Sequence, residues 1–166
     1  MARQEYDNHP EAVSFKDHIL DLQPISKDLI RRIYKNTTGD DPIAVWMSRK
    51  EKYRAYVSSL VCSTQVSEDD IIQFNDTGII QNGKSGVALT EKDFISYDSK
   101  RQQPYILPYG NICKIEIKYD QKLNYPEAVL IYDYLGNICK YSGATGKGLG
   151  KIEMDCFLRT ILFYLN

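Results

Sequence analysis

The stretch whose residue types come nearest to chemistry is Ser142–Gly150, SGATGKGLG. Phosphate-binding loops use Gly-rich backbone amides to cradle phosphates, a Lys to reach them and a Ser or Thr hydroxyl on Mg²⁺. That requires G-x-x-x-x-G-K-[ST]. Counting back from Gly146–Lys147, the leading position is Tyr141, and Gly148 follows the lysine. The segment reads as a flexible joint before a closing helix, not a nucleotide site. His9 and His18 are the only histidines. They lack a ligand set at metal spacing and a nucleophile placed for a base. Glu68–Asp69–Asp70 has the composition of a metal-binding carboxylate cluster, as in a small metal-dependent hydrolase or nuclease. Adjacent acids entering a strand point different ways, so a solvated edge is expected. No catalytic residue, cofactor or metal is expected.

Cys62, Cys113, Cys139 and Cys156 show no metal or redox spacing and read as reduced, buried thiols. GNICK occurs at Gly110–Lys114 and Gly136–Lys140, but the flanks differ. Two turns are expected, each using Gly for a positive φ before a strand. Between Lys27 and Arg54 eight basic residues meet four acidic ones, a local charge of +4, with Trp46 and tyrosines interleaved. Such a surface suits an acidic protein partner. The whole chain carries −1, so no global field points to nucleic acid.

These residues need a scaffold, and 166 residues with 43% apolar content can build one core. Residues 1–13 read as a loose leader without the apolar core of a signal peptide, and the expected location is the cytoplasm. No apolar run approaches the ~20 residues of a spanning helix. Residues 14–63 read as a helical extension. A first helix starts at Ser14, and Ser26 caps a second carrying Leu29, Ile30, Ile33 and Tyr34. Asn36–Pro42 is a loop. Ser48 and Glu51 then form a capping box before the stripe Tyr53, Tyr56, Val57, Leu60 and Val61.

From Glu68 the period becomes two. Strands are expected over Ile71–Asn75, Gly86–Thr90, Phe94–Asp98, Tyr105–Leu107, Cys113–Tyr119, Ala128–Tyr134 and Asn137–Tyr141. The sixth is almost wholly apolar and should be central. In the fifth, Cys113, Ile115, Ile117 and Tyr119 alternate with Lys114, Glu116 and Lys118 and should share the buried face. The last helix repeats apolar residues at Met154, Phe157, Leu158, Ile161, Leu162 and Leu165, and this face must pack on something.

SGVALTEKDFISYD followed by YILPYGNICKIEI resembles the bacterial pleckstrin-homology-like (PH-like) pattern. It does so through Gly86, Leu89, Thr90, Phe94 and Tyr97, then Leu107, Pro108, Tyr109, Ile112, Ile115 and Ile117. The resemblance spans about Ile71–Asn166, within a domain expected over residues 68–166. It implies an α+β fold, a β-sandwich or open barrel of about seven strands with a C-terminal capping helix, here preceded by N-terminal helices. The family's fold hosts lipid, peptide and protein binding alike. Its phosphoinositide-binding members use a basic pocket at the first strand loop, whereas Thr77–Lys84 holds one Lys. The reading is a non-catalytic protein-binding module, such as an immunity, inhibitor or regulatory protein facing an acidic surface or toxin. A peripheral module on anionic lipid, without stable insertion, is the alternative. The expected contacts are Arg31, Arg32, Trp46, Arg49 and Lys50 on the helices. Tyr97 and Tyr105, at a sheet edge, complete the set.

Overall fold

The computed structural model describes residues 26–42, 45, 48–49, 51, 53, 66–78, 84–98, 103–144 and 148–165. Helix α1 (Lys27–Thr38) starts where expected, with the Ser26 hydroxyl accepting the Leu29 amide at 3.2 Å. It runs two residues beyond Asn36, into the expected loop. Gly39 stops it, adopting φ 78° and donating its amide to the Lys35 carbonyl.

The capping box does not start the next helix. Pro42, Val45, Ser48, Arg49, Glu51 and Tyr53 are all helical, and the Val45 amide already donates to the Asp41 carbonyl at 3.0 Å. Pro42 suits a first helical turn, where no amide is needed. Ser48 lies inside the helix, its hydroxyl donating to the Val45 carbonyl at 2.8 Å. Tyr56, Val57, Leu60 and Val61 lie outside the described residues, as do the leader and the helix expected from Ser14.

Seven strands form two antiparallel sheets. The first, in the order β1-β2-β3-β4, contains β1 (Gln73–Asp76), β2 (Ser85–Leu89), β3 (Asp93–Asp98) and β4 (Tyr105–Pro108). The second, in the order β5-β6-β7, contains β5 (Ile112–Asp120), β6 (Tyr125–Asp133) and β7 (Ile138–Tyr141). The apolar β6 is central, as its composition requires. Helix α2 (Lys151–Leu165) closes the chain and contacts β5, β6 and the turn before β5. This α+β arrangement of four and three strands with a C-terminal helix is consistent with a PH-like fold.

Both sheets and both helices share one core. Ile30, Ile33 and Tyr34 of α1 join Phe94, Ile115, Ile131, Met154, Phe157, Leu158 and Ile161 in it. The Tyr34 and Phe157 rings meet edge to face, 6.1 Å apart. Five of the six expected α2 stripe residues are buried, and Leu162 packs against the core half-buried. A smaller cluster on the opposite face of the first sheet joins Ile71, Phe74, Ala88, Ile95 and Tyr97 to Tyr53. The Tyr53 ring sits 5.4 Å from that of Phe74. The helical part therefore packs into the sandwich from two sides.

Residues that carry the resemblance hold this frame together. The Thr90 hydroxyl accepts the Lys92 and Asp93 amides at 3.1 and 2.9 Å, shaping the β2–β3 turn. Tyr109, fully buried after β4, donates its phenol to the Thr90 carbonyl at 2.9 Å. Burial pushes that phenol well above its ordinary range, so it stays a donor. Gly86 lies against Phe74, where a Cβ would come within 2.7 Å of the ring and 2.5 Å of the Asn75 carbonyl.

Local expectations give way at three further points. A bulge between Ile112 and Lys114 slips the β5 register. Cys113 thereby joins Tyr132 and Tyr134 instead of sharing the core face with Ile115. Tyr119 runs past the end of the core and is 48% exposed. The two GNICK segments are not equivalent either: Gly136 has φ 89° in the β6–β7 turn, but Gly110 sits in a 3-10 turn without positive φ. Finally, the Gly-rich joint is anchored at its end. Leu149 is fully buried, its amide donating to the Asn75 side chain at 2.8 Å and its carbonyl accepting from Tyr141 and Ala144.

Candidate partner-binding surface

Helices α1 and α2 pack against each other through their apolar stripes. The open side is a groove of about 560 Å³. Leu29 and Ile33 from α1 and Ile152 and Cys156 from α2 line it, with Arg32 and Tyr164 among the other residues along it. Ile152 is 46% exposed and Tyr164 55%. Phe163 projects next to the groove, 76% exposed, its ring edge to face with Tyr164 at 5.7 Å. These residues lie off the stripe that α2 spends on the core. Their signal in the sequence is an apolar residue on a face already remote from a complete stripe.

Arg32, one of the expected contacts, is exposed at this groove and has no ion-pair partner among the described residues. Lys35, one turn on, is likewise exposed. Glu153 also lines the groove, but its carboxylate is engaged by the Gly150 amide. The groove thus offers apolar walls and a guanidinium without an ion-pair partner among the described residues.

The other expected contacts separate. Arg31 turns toward Asp28, its guanidinium 3.7 Å from the carboxylate, and its Nε is buried without a hydrogen-bond partner. Arg49 is half-buried, close to Tyr34 and Tyr53. Burial raises both phenols, and the Arg49 charge opposes that rise. Trp46 and Lys50 lie outside the described residues. Tyr97 is not an edge residue. Its strand β3 runs between β2 and β4, and its ring is 8% exposed in the cluster with Tyr53 and Phe74. Tyr105 does lie on the edge strand β4, half-buried, with its phenol donating to Asp133 of β6 at 2.5 Å. Alternation along one strand could not show which of its two faces a helix covers.

Asp133 is the centre of a second polar cluster. Its carboxylate also accepts the Leu135 and Asn137 amides at 2.9 and 2.8 Å and the Asn137 side chain at 2.8 Å. Tyr105 and Gly136–Cys139 line a shallow cavity of about 510 Å³ beside it. Burial raises the Tyr105 phenol, and the carboxylate it bonds raises it further. The phenol is therefore a fixed donor that clasps the two sheets, not an acid poised for proton transfer.

The acidic run has a structural place. Glu68–Asp70 forms a 3-10 turn capped by the Ser67 hydroxyl. Lys27 of α1 donates to the Asp69 carbonyl and lies 3.8 Å from the Asp70 carboxylate. Among the described residues, no group of three or more His, Cys, Asp or Glu is placed to hold a metal ion. Nor is any helix among them long and apolar enough to cross a membrane. No family model matches the chain, and no curated protein or solved structure does either.

Proposed function

We propose that this chain is a PH-like module that binds a protein partner in the cytoplasm without catalysis, in an immunity, inhibitor or regulatory role. The observation that carries the reading is the α1–α2 groove. It combines exposed Ile152 and Tyr164, the latter against the exposed Phe163 ring, with Arg32, which has no ion-pair partner among the described residues. Apolar and aromatic anchors beside a desolvatable Arg are the composition of an interface hot spot. A groove between two helices accepts the apolar face of a third, as in helix-in-groove recognition. Arg32 and Lys35 favour an acidic residue on that segment and speed its encounter with the groove.

The test is comparative capture. The immobilised protein, an Arg32→Glu variant and a Tyr164→Ala variant are exposed to the same native lysate, and retained proteins are quantified by mass spectrometry. A protein held by the parent and lost from both variants supports the reading. Identical retention by all three refutes the groove as the binding surface. Both side chains are exposed, so each variant should melt within about 0.5 kcal/mol of the parent.

A further inference from the structure

The hairpin joining β5 and β6 ends in the most exposed apolar group of the three-stranded sheet. Leu123 at its tip is 77% exposed, between Tyr119 at 48% and Tyr125 at 59%. The tip is held in shape from within. The Asp120 carboxylate accepts the Lys122 and Leu123 amides at 2.8 and 2.9 Å, and Asn124 adopts φ 48°. Lys151, at the start of α2, places its ammonium 4.8 Å from the centre of the Tyr125 ring. Lys118 and Lys140 share the one carboxylate of Glu127, at 3.0 and 3.3 Å. Lys122 and Lys151 have no ion-pair partner among the described residues. Four lysines from three separate stretches of chain thus lie in or beside this hairpin, Lys151 over Tyr125 and Lys118 and Lys140 at Glu127, against the two carboxylates of Asp120 and Glu127. One of those carboxylates is occupied by backbone amides.

We propose that this tip is a contact site for the surface of an anionic bilayer, separate from the α1–α2 groove and independent of the role assigned to it. Leu123 enters the acyl boundary, Tyr119 and Tyr125 rest at headgroup depth, and the lysines lie over anionic lipid. Tyrosines are enriched at that depth, and lysines near an anionic leaflet each add attraction. Lysine is depleted from protein–protein interfaces, so these lysines favour lipid over a protein pocket. The fixed turn means that little ordering is lost on contact. A single leucine and two rings give reversible association, not insertion.

Flotation with two vesicle types tests it: phosphatidylcholine alone, and phosphatidylcholine with about 30% phosphatidylserine. The parent protein should float with the second and hardly with the first, and about 0.5 M salt should release it. Leu123→Glu should weaken binding about tenfold, and Lys122→Glu with Lys151→Glu should do the same. Arg32→Glu, in the groove, should float like the parent, so failure of one surface is told apart from failure of the other. Leu123, Lys122 and Arg32 are exposed and Lys151 is half-buried, and an unchanged melting curve checks that each variant is folded. No flotation of the parent, equal flotation with both vesicles, or unaltered binding by Leu123→Glu would overturn the assignment. So would loss of a captured protein from Leu123→Glu without loss of vesicle binding.

Discussion

Removing the Asp133 carboxylate should open the seam between the two sheets. The group is 3% exposed and accepts from Tyr105, Asn137 and the amides of Leu135 and Asn137. Hydrogen bonds to a charged acceptor contribute about 1.5–3 kcal/mol each in favourable sites, and they do not add. The turn amides can turn to water once the carboxylate is gone, whereas the half-buried Tyr105 phenol loses its partner. We expect Asp133→Ala to cost about 3 kcal/mol, or about 6–12 °C in melting temperature for a chain of this length. Tyr105→Phe removes one donor of four and should cost about 1.5 kcal/mol. In a double-mutant cycle the two should couple by about 1 kcal/mol, read by thermal melts or urea titration. Burial pushes the Asp133 carboxyl up, but its bonds from Tyr105, Asn137 and Leu135 outweigh that and hold it below the ordinary value. Its contribution is therefore fully present above the unfolded value of about 3.9 and fades as pH falls through the lower folded value. The stability gap between parent and Asp133→Ala should be level from neutral pH to about pH 5 and close below about pH 4. Additive single costs, or a gap that widens on acidification, would refute the clasp.

Further outcomes follow from the packing. Leu158→Ala, at a fully buried site on α2, should cost about 2–5 kcal/mol, and a parental melt would show that α2 does not close the sandwich. Gly86→Ala drives a Cβ into the Phe74 ring and the Asn75 carbonyl and should cost about 1–3 kcal/mol in chemical denaturation, an unchanged midpoint counting against that contact. Among the described cysteines, a thiol reagent on the native protein should label the exposed Cys156 and spare the buried Cys113 and Cys139. Peptide mapping would read this, and early labelling of Cys139 would contradict its place in the core.

Much of the frame was legible in local pattern. Ser26 capped its helix because a hydroxyl before an apolar stripe satisfies a free amide whatever the rest of the chain does. The α2 stripe, the central β6 and the α+β order followed from periodicity, which a helix or strand imposes residue by residue. The resemblance singled out Thr90 and Tyr109, though not their contact, since a bond across 19 residues is not a local property.

Of the expected contact residues, Arg32 reaches the groove, while Tyr97 is buried and Tyr105 is tied to Asp133. Which face of the first sheet is covered depends on where Tyr53 packs, and no alternation within β3 encodes that. Ser48 carried a start signal inside a helix already begun at Pro42, because a capping motif marks a preference that a preceding turn can override. The lysines in or beside the β5–β6 hairpin stand at positions 118, 122, 140 and 151, so no window of sequence shows them together. Composition and period thus determined which segments are helix or strand and which face of α2 is buried. The β5 bulge, the packing of α1 on α2 and the approach of Lys151 to Tyr125 decided which exposed side chains stand together, because that depends on contacts between residues remote in the chain.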